Sequence, residues 1–105
     1  MADLIQGTLD MLILRSLTLA PMHGFGITRR IEQLSKGVFT VNPGSLLLAF
    51  QRLERAGLID GEWRETENKR RARYYTITAR GRKQLKEESA DWERRVAAIE
   101  RLMHA

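Results

Sequence analysis

Two histidines, His23 and His104, sit near opposite ends of the chain, and cysteine is absent. Disulfide scaffolds and thiolate metal sites are therefore excluded. No nucleophile stands beside either histidine, and no acid–base pair or ligand spacing is visible, so neither an enzyme nor a cofactor or metal is expected. Gly24-Phe25-Gly26 resembles part of a phosphate-cradling loop, but no further glycine or Lys-Ser/Thr follows in register. The chemistry that remains is recognition. Ser45 and Gln51 carry hydrogen-bonding groups, Leu47 offers an apolar contact, and Arg52 and Arg55 flank them. Lys69, Arg70, Arg71, Arg73 and Tyr74 form a second set. Amides and hydroxyls can meet base edges and cationic groups phosphates, although basic stretches are as often only solvated surface, so the placement of these residues decides whether double-stranded DNA is what they bind.

The stretch from Asn42 to Gly57 must position the first set. Asn42 suits a helix cap, Pro43 the first helical position and Gly57 the residue past the end. At about 100° per residue, Leu46, Ala49, Phe50, Leu53 and Ala56 gather on one side, while Gly44, Leu47, Leu48, Gln51 and Arg55 point the other way. The helix thus has a core face and a presented face. Leu58 to Arg64 and Ala72 to Ile77 read as hairpin strands, with Tyr75 and Ile77 on one face and Tyr74 and Thr76 on the other. The segment between them, Glu65 to Arg71, is polar and basic toward its end. A presented helix followed by a basic hairpin predicts a winged helix-turn-helix, with the helix in a DNA groove and the wing on the adjacent backbone.

Charge supports that placement. The net +5 arises almost entirely within residues 61 to 83, which hold eight Lys/Arg against three Asp/Glu. The chain has 105 residues, 43% of them hydrophobic, which suits one domain with a modest core. A chain this short buries only about two-thirds of its unfolded surface, so a partner subunit would help it. No signal-peptide pattern is visible, and no apolar run approaches the roughly 20 residues needed to span a bilayer. A soluble cytoplasmic protein with no membrane association is expected.

Residues 8 to 19 predict a first helix capped by Thr8, with Leu9, Leu12, Ile13 and Leu17 on one stripe and Met11 and Leu14 on another side. The second side calls for a second subunit. Gly24 to Leu34 predicts the next helix, with His23 as a capping or surface residue. Thr78 caps a long final helix reaching about Met103, in which Leu85, Trp92, Val96, Ile99 and Met103 are spaced by 7, 4, 3 and 4 residues. This heptad-like seam predicts a homodimer joined through the final and first helices. The expected fold is mainly α with a small β-hairpin. Residues 1–77 form the winged helix-turn-helix DNA-binding domain, and residues 78–105 form a C-terminal dimerisation helix.

Five segments then become recognisable in order: Leu-Ile-Gln-Gly-Thr-Leu-Asp-Met-Leu-Ile-Leu (4–14), Pro-Met-His-Gly-Phe-Gly-Ile (21–27), Val-Asn-Pro-Gly-Ser-Leu (41–46), Arg-Leu-Glu-Arg-Ala-Gly-Leu-Ile (52–59) and Arg-Arg-Ala-Arg-Tyr-Tyr-Thr-Ile-Thr (70–78). Together they resemble the PadR family of bacterial transcriptional regulators, in its short, compact branch. The resemblance implies a winged helix-turn-helix dimer, usually a repressor on operator DNA, with some members released by a small, often aromatic, molecule at the dimer interface. Met11, Trp92 and Val96 are the residues expected near such an effector. Where the family usually continues Asn-Pro-Gly-Ser-Leu with Tyr-Pro-Ala-Leu, this chain has Leu47, Leu48, Ala49 and Phe50, and Phe25 stands where Tyr is frequent. Two hydroxyls are thereby lost. Two adjacent presented leucines also allow an alternative, a protein-interaction adaptor that kept the winged fold and lost specific DNA binding.

Overall fold

A computed structural model describes residues 6–105. Leu4 and Ile5, the first residues of the motif at 4–14, lie outside the described residues. Helix α1 spans Gln6–Leu19, strand β1 Met22–His23, α2 Gly24–Leu34, α3 Pro43–Arg55, β2 Ile59–Glu65, β3 Arg71–Ile77 and α4 Ala79–Met103. The strands form one antiparallel sheet in the order β1-β3-β2. Four helices with this small sheet make the expected winged fold, and α4, at 25 residues or about 37 Å, gives the molecule its 55 Å long axis.

Local signals set most of these boundaries. His23 caps α2, its Nδ1 accepting from the Gly26 N–H at 3.0 Å. Asn42 caps α3, its Oδ1 accepting from Gly44 N at 2.8 Å and Ser45 N at 3.2 Å. Gly57, at φ 74°, turns the chain out of α3 in the left-handed conformation that glycine adopts without cost. Thr78 Oγ1 accepts from Gly81 N at 3.0 Å and donates to the Gly57 carbonyl at 2.7 Å, tying the start of α4 to the end of α3. Arg30 Nη1 donates to the carbonyls of Ser16 at 2.8 Å and Ala20 at 3.2 Å, closing the C-terminal turn of α1, where a cation also meets the helix dipole.

One core joins all of this. Leu9, Ile13, Leu14 and Leu17 of α1 meet Ile27 and Ile31 of α2, the inner face of α3, Ile59, Tyr75 and Leu85. Phe50 stacks on Tyr75 with ring centroids 4.2 Å apart, fastening α3 to the sheet.

Five expectations change. β1 stands where spacing predicts only a helix break, because two residues are too few to show alternation; pairing of Met22 with Tyr75 and His23 with Tyr74 makes it a strand. Thr8 lies inside α1 rather than capping it. Leu14, expected at a subunit interface, is fully buried in its own domain, whereas Leu12 is only partly buried. On the helical wheel the polar Asp10 falls between Leu17 and Leu14, so spacing sets Leu14 apart from a stripe that it in fact extends. Leu85, expected on the same interface, is likewise buried within the chain. Ala56 is the exposed C-cap of α3 rather than part of its core face.

Candidate nucleic-acid interface

α3 is held by its inner face. Leu46, Ala49, Phe50 and Leu53 are buried, which leaves Ser45, Leu47, Leu48, Gln51 and Arg55 exposed on the outside. Leu47 and Leu48 remain 56% and 58% exposed. The helix therefore offers a short polar and aliphatic face beyond its Asn42 cap.

The wing is a regular hairpin. Thr66 N donates to Arg70 O at 2.6 Å and Lys69 N to Thr66 O at 3.0 Å, closing a three-residue loop of Glu67, Asn68 and Lys69. Lys69 takes the left-handed position, φ 58°, that glycine usually fills in such loops. This turn brings Lys69, Arg70 and Arg71 together as exposed cations at the tip.

Not every expected cation is available. Arg52 Nη2 donates to Asp10 Oδ1 at 2.7 Å, so its guanidinium ties α3 to α1 instead of facing outward with Gln51. Arg73 Nη2 donates to Glu54 Oε2 at 2.9 Å, tying β3 to α3. The Glu54 hydrogen bond raises the Arg73 pKa above its ordinary value, so the pair stays charged. The physical reason is the same for both: each sits on the inner side of its element, opposite a carboxylate of the next one. They fix the angle of the wing and the presented helix.

Two wing residues escape a reading of the sequence alone. Trp63 pairs across the hairpin with Arg73 and is 58% exposed, with the guanidinium carbons of Arg71 and Arg73 5.8 and 5.9 Å from its ring. Arg64 lies 5.3 Å from the ring of Tyr74, whose other neighbour is the edge of His23 at 5.3 Å. Tyr74 is thus half-buried in a stack rather than free. Cross-strand register is the signal that could find both pairs, but it requires knowing the loop length.

Between the wing and the helices runs an apolar groove of about 430 Å³, bordered by Phe25, Pro43, Leu47, Phe50, Ala72 and Tyr75. On the far side, a smaller groove of about 250 Å³ between α1 and α4 is bordered by Thr8, Met11, Glu88, Asp91, Trp92 and Arg95. It brings Met11 and Trp92 together and leaves Val96 outside. Trp92, Ile99 and Met103 are exposed along α4, and Val96 is partly buried. Among the described residues no His, Cys, Asp or Glu cluster suits a metal, and no helix is long and apolar enough to cross a membrane.

Comparison with known proteins agrees with this geometry. The model of the transcriptional regulator PadR-like family matches residues 13–87. An uncharacterized protein X from Lysinibacillus sphaericus is 30% identical over 91 residues, covering 87% of this chain and 84% of the relative. A transcriptional regulator from Clostridium thermocellum superposes with a TM-score of 0.85 at 31% identity, covering 95% of this chain and 97% of its own. PadR of Bacillus subtilis, solved in complex with operator DNA, shares the fold with a TM-score of 0.69 at 19% identity; the match covers 79% of this chain and 47% of that one. With the presented helix, the basic hairpin and the matched family model all in one chain, this protein belongs to the PadR-like family of transcriptional regulators.

Proposed function

We propose that the chain is a homodimeric, sequence-specific DNA-binding regulator, a cytoplasmic repressor acting on a palindromic operator. The observation that carries the reading is the uncovered face of α3 beside the basic wing tip. Ser45, Leu47 and Gln51 approach base edges, with Arg55 at the border, while Lys69, Arg70 and Arg71 hold phosphates. Arg52, Arg73 and Tyr74 act behind them by orienting α3 and the wing. Division of labour follows the chain, with residues 1–77 binding DNA and residues 78–105 joining subunits.

The exposed apolar residues of α4 support the dimer, since among the described residues Ile99 and Met103 stay more than half exposed and Trp92 45% exposed. A second copy covers them and sets two presented helices about one DNA turn, ~34 Å, apart. Effector release belongs to the same reading. The groove holding Met11 and Trp92, at about 250 Å³, lies below the ~300–1,000 Å³ of ordinary ligand pockets, and a second chain would enlarge it around a planar aromatic molecule.

Selection of bound duplexes from a random library, then titration of the best site at two salt concentrations, tests the reading. A palindrome with half-sites one turn apart and an affinity that falls steeply with salt is expected. No enriched sequence would overturn it.

A further inference from the structure

The presented face of α3 is poor in charge. Among the described residues of that helix, Arg55 in the last turn is the exposed cation, because Arg52 is committed to Asp10. The centre of the face is Gln51, four residues after Leu47 and three after Leu48, so its side chain lies one turn above both and between them. The commonest way to read guanine, a bidentate Arg or Lys, is missing from this centre. Glutamine instead matches adenine, whose N6 and N7 present a donor and an acceptor together. An aliphatic side chain matches the thymine 5-methyl, the apolar group that base pair offers in the major groove.

The surroundings suit the same occupant. On the Leu47 side, the aliphatic surface continues into Phe25, which is 69% exposed, and Pro43 and Ala72 of the adjoining groove. The exposed cations Lys69, Arg70 and Arg71 lie at the tip of the neighbouring wing, so polyanionic backbone is accommodated beside an apolar reading surface.

We infer that α3 reads consecutive A·T base pairs, Gln51 by paired hydrogen bonds to an adenine and Leu47 and Leu48 by contact with thymine 5-methyl groups on either side. This rests on the duplex-binding reading above and adds which bases are read. The selected duplex is remade with each thymine replaced singly by deoxyuridine, which keeps pairing and removes only the methyl. Affinity for the full-length protein is expected to fall about threefold or more at two or more thymines in each half-site. In Leu47→Ala and Leu48→Ala, the penalty at the thymine each leucine faces is expected to shrink toward none. Both leucines are exposed, and unchanged circular dichroism and melting establish that these variants are folded. Specific binding that tolerates deoxyuridine at every position overturns methyl reading and leaves the regulator standing. A selected half-site centred on G·C pairs does the same. Absence of any enriched site overturns both, and the leucines would then belong to a protein-docking surface.

Discussion

Tyr75 shows how one core side chain couples stability to pH. Its phenol is pushed above its ordinary value of 10.0, first by burial and then by the negative charge of Glu54, with Arg73 offsetting part of the effect. The folded state therefore keeps the proton to higher pH than the unfolded chain does. Its stability contribution is complete below the unfolded value and is lost as pH climbs through the folded one. Denaturant midpoints measured from pH 8 to pH 11 should decline above about pH 10, and Tyr75→Phe should decline less. Equal slopes in the two proteins would assign the loss elsewhere. Lys69 illustrates the opposite trade. Its left-handed backbone is costly for any residue with a Cβ, so Lys69→Gly should raise stability by about 0.5–1 kcal/mol while weakening duplex binding through the lost charge. A variant that gains stability and keeps its full affinity would remove Lys69 from the phosphate-contacting set.

The elements are joined at a few close approaches, and these are where substitutions separate binding from folding. α4 begins against the start of β2, and a methyl on Gly81 would overlap the backbone carbonyl of Leu58 and crowd Ile77. Neither neighbour is the free end of a flexible chain, so Gly81→Ala should cost about 1–3 kcal/mol in a melting or denaturant series. A neutral result would show that α4 can slide on the sheet. Within the wing, the cations divide by partner. Replacing Arg70 and Arg71 together with alanine should leave folding nearly unchanged and lower the slope of log affinity against log salt by about four, since each of the two subunits proposed to sit on an operator loses two phosphate contacts. Arg73→Ala should instead lower stability by leaving Glu54 without its partner, and it should spare most of the salt slope. If Arg73 lowered the slope as much as the tip arginines do, its pairing with Glu54 would have to open on DNA.

The whole molecule carries two separate exposed apolar surfaces, one beside the proposed recognition face and one along α4. One is built on α3 and the wing, the other on the outer half of α4, where Ile99, Leu102 and Met103 are each more than half exposed. An aliphatic stripe of this kind on a 25-residue helix suits the proposed second copy, against which it would be buried. Ile99→Asp combined with Met103→Asp should convert the proposed dimer to monomer in sedimentation at micromolar concentration while circular dichroism stays close to wild type. Operator affinity should then drop strongly, because a single presented helix engages one half-site. A variant that remained dimeric would move the subunit contact away from this stripe.

Much of the architecture is legible along the chain because its signals are local. Asn42-Pro43 and Gly57 bracket α3, Thr78 opens α4, and alternation in Tyr75 and Ile77 identifies the inner face of β3. Each depends on residues within one or two turns, so composition and spacing suffice. The outward face of α3 and the basic wing tip are legible for the same reason. What the tertiary structure decided is which side chains were already spoken for. Arg52 and Arg73 look like free cations until Asp10 and Glu54 arrive from other elements. Leu14 and Leu85 look like interface residues until one shared core covers them. β1 exists only because β3 has an open edge beside it. A charge or an apolar group has the same spacing whether or not a distant partner satisfies it, so periodicity shows where a side chain points along its own element, and only packing shows what it meets there.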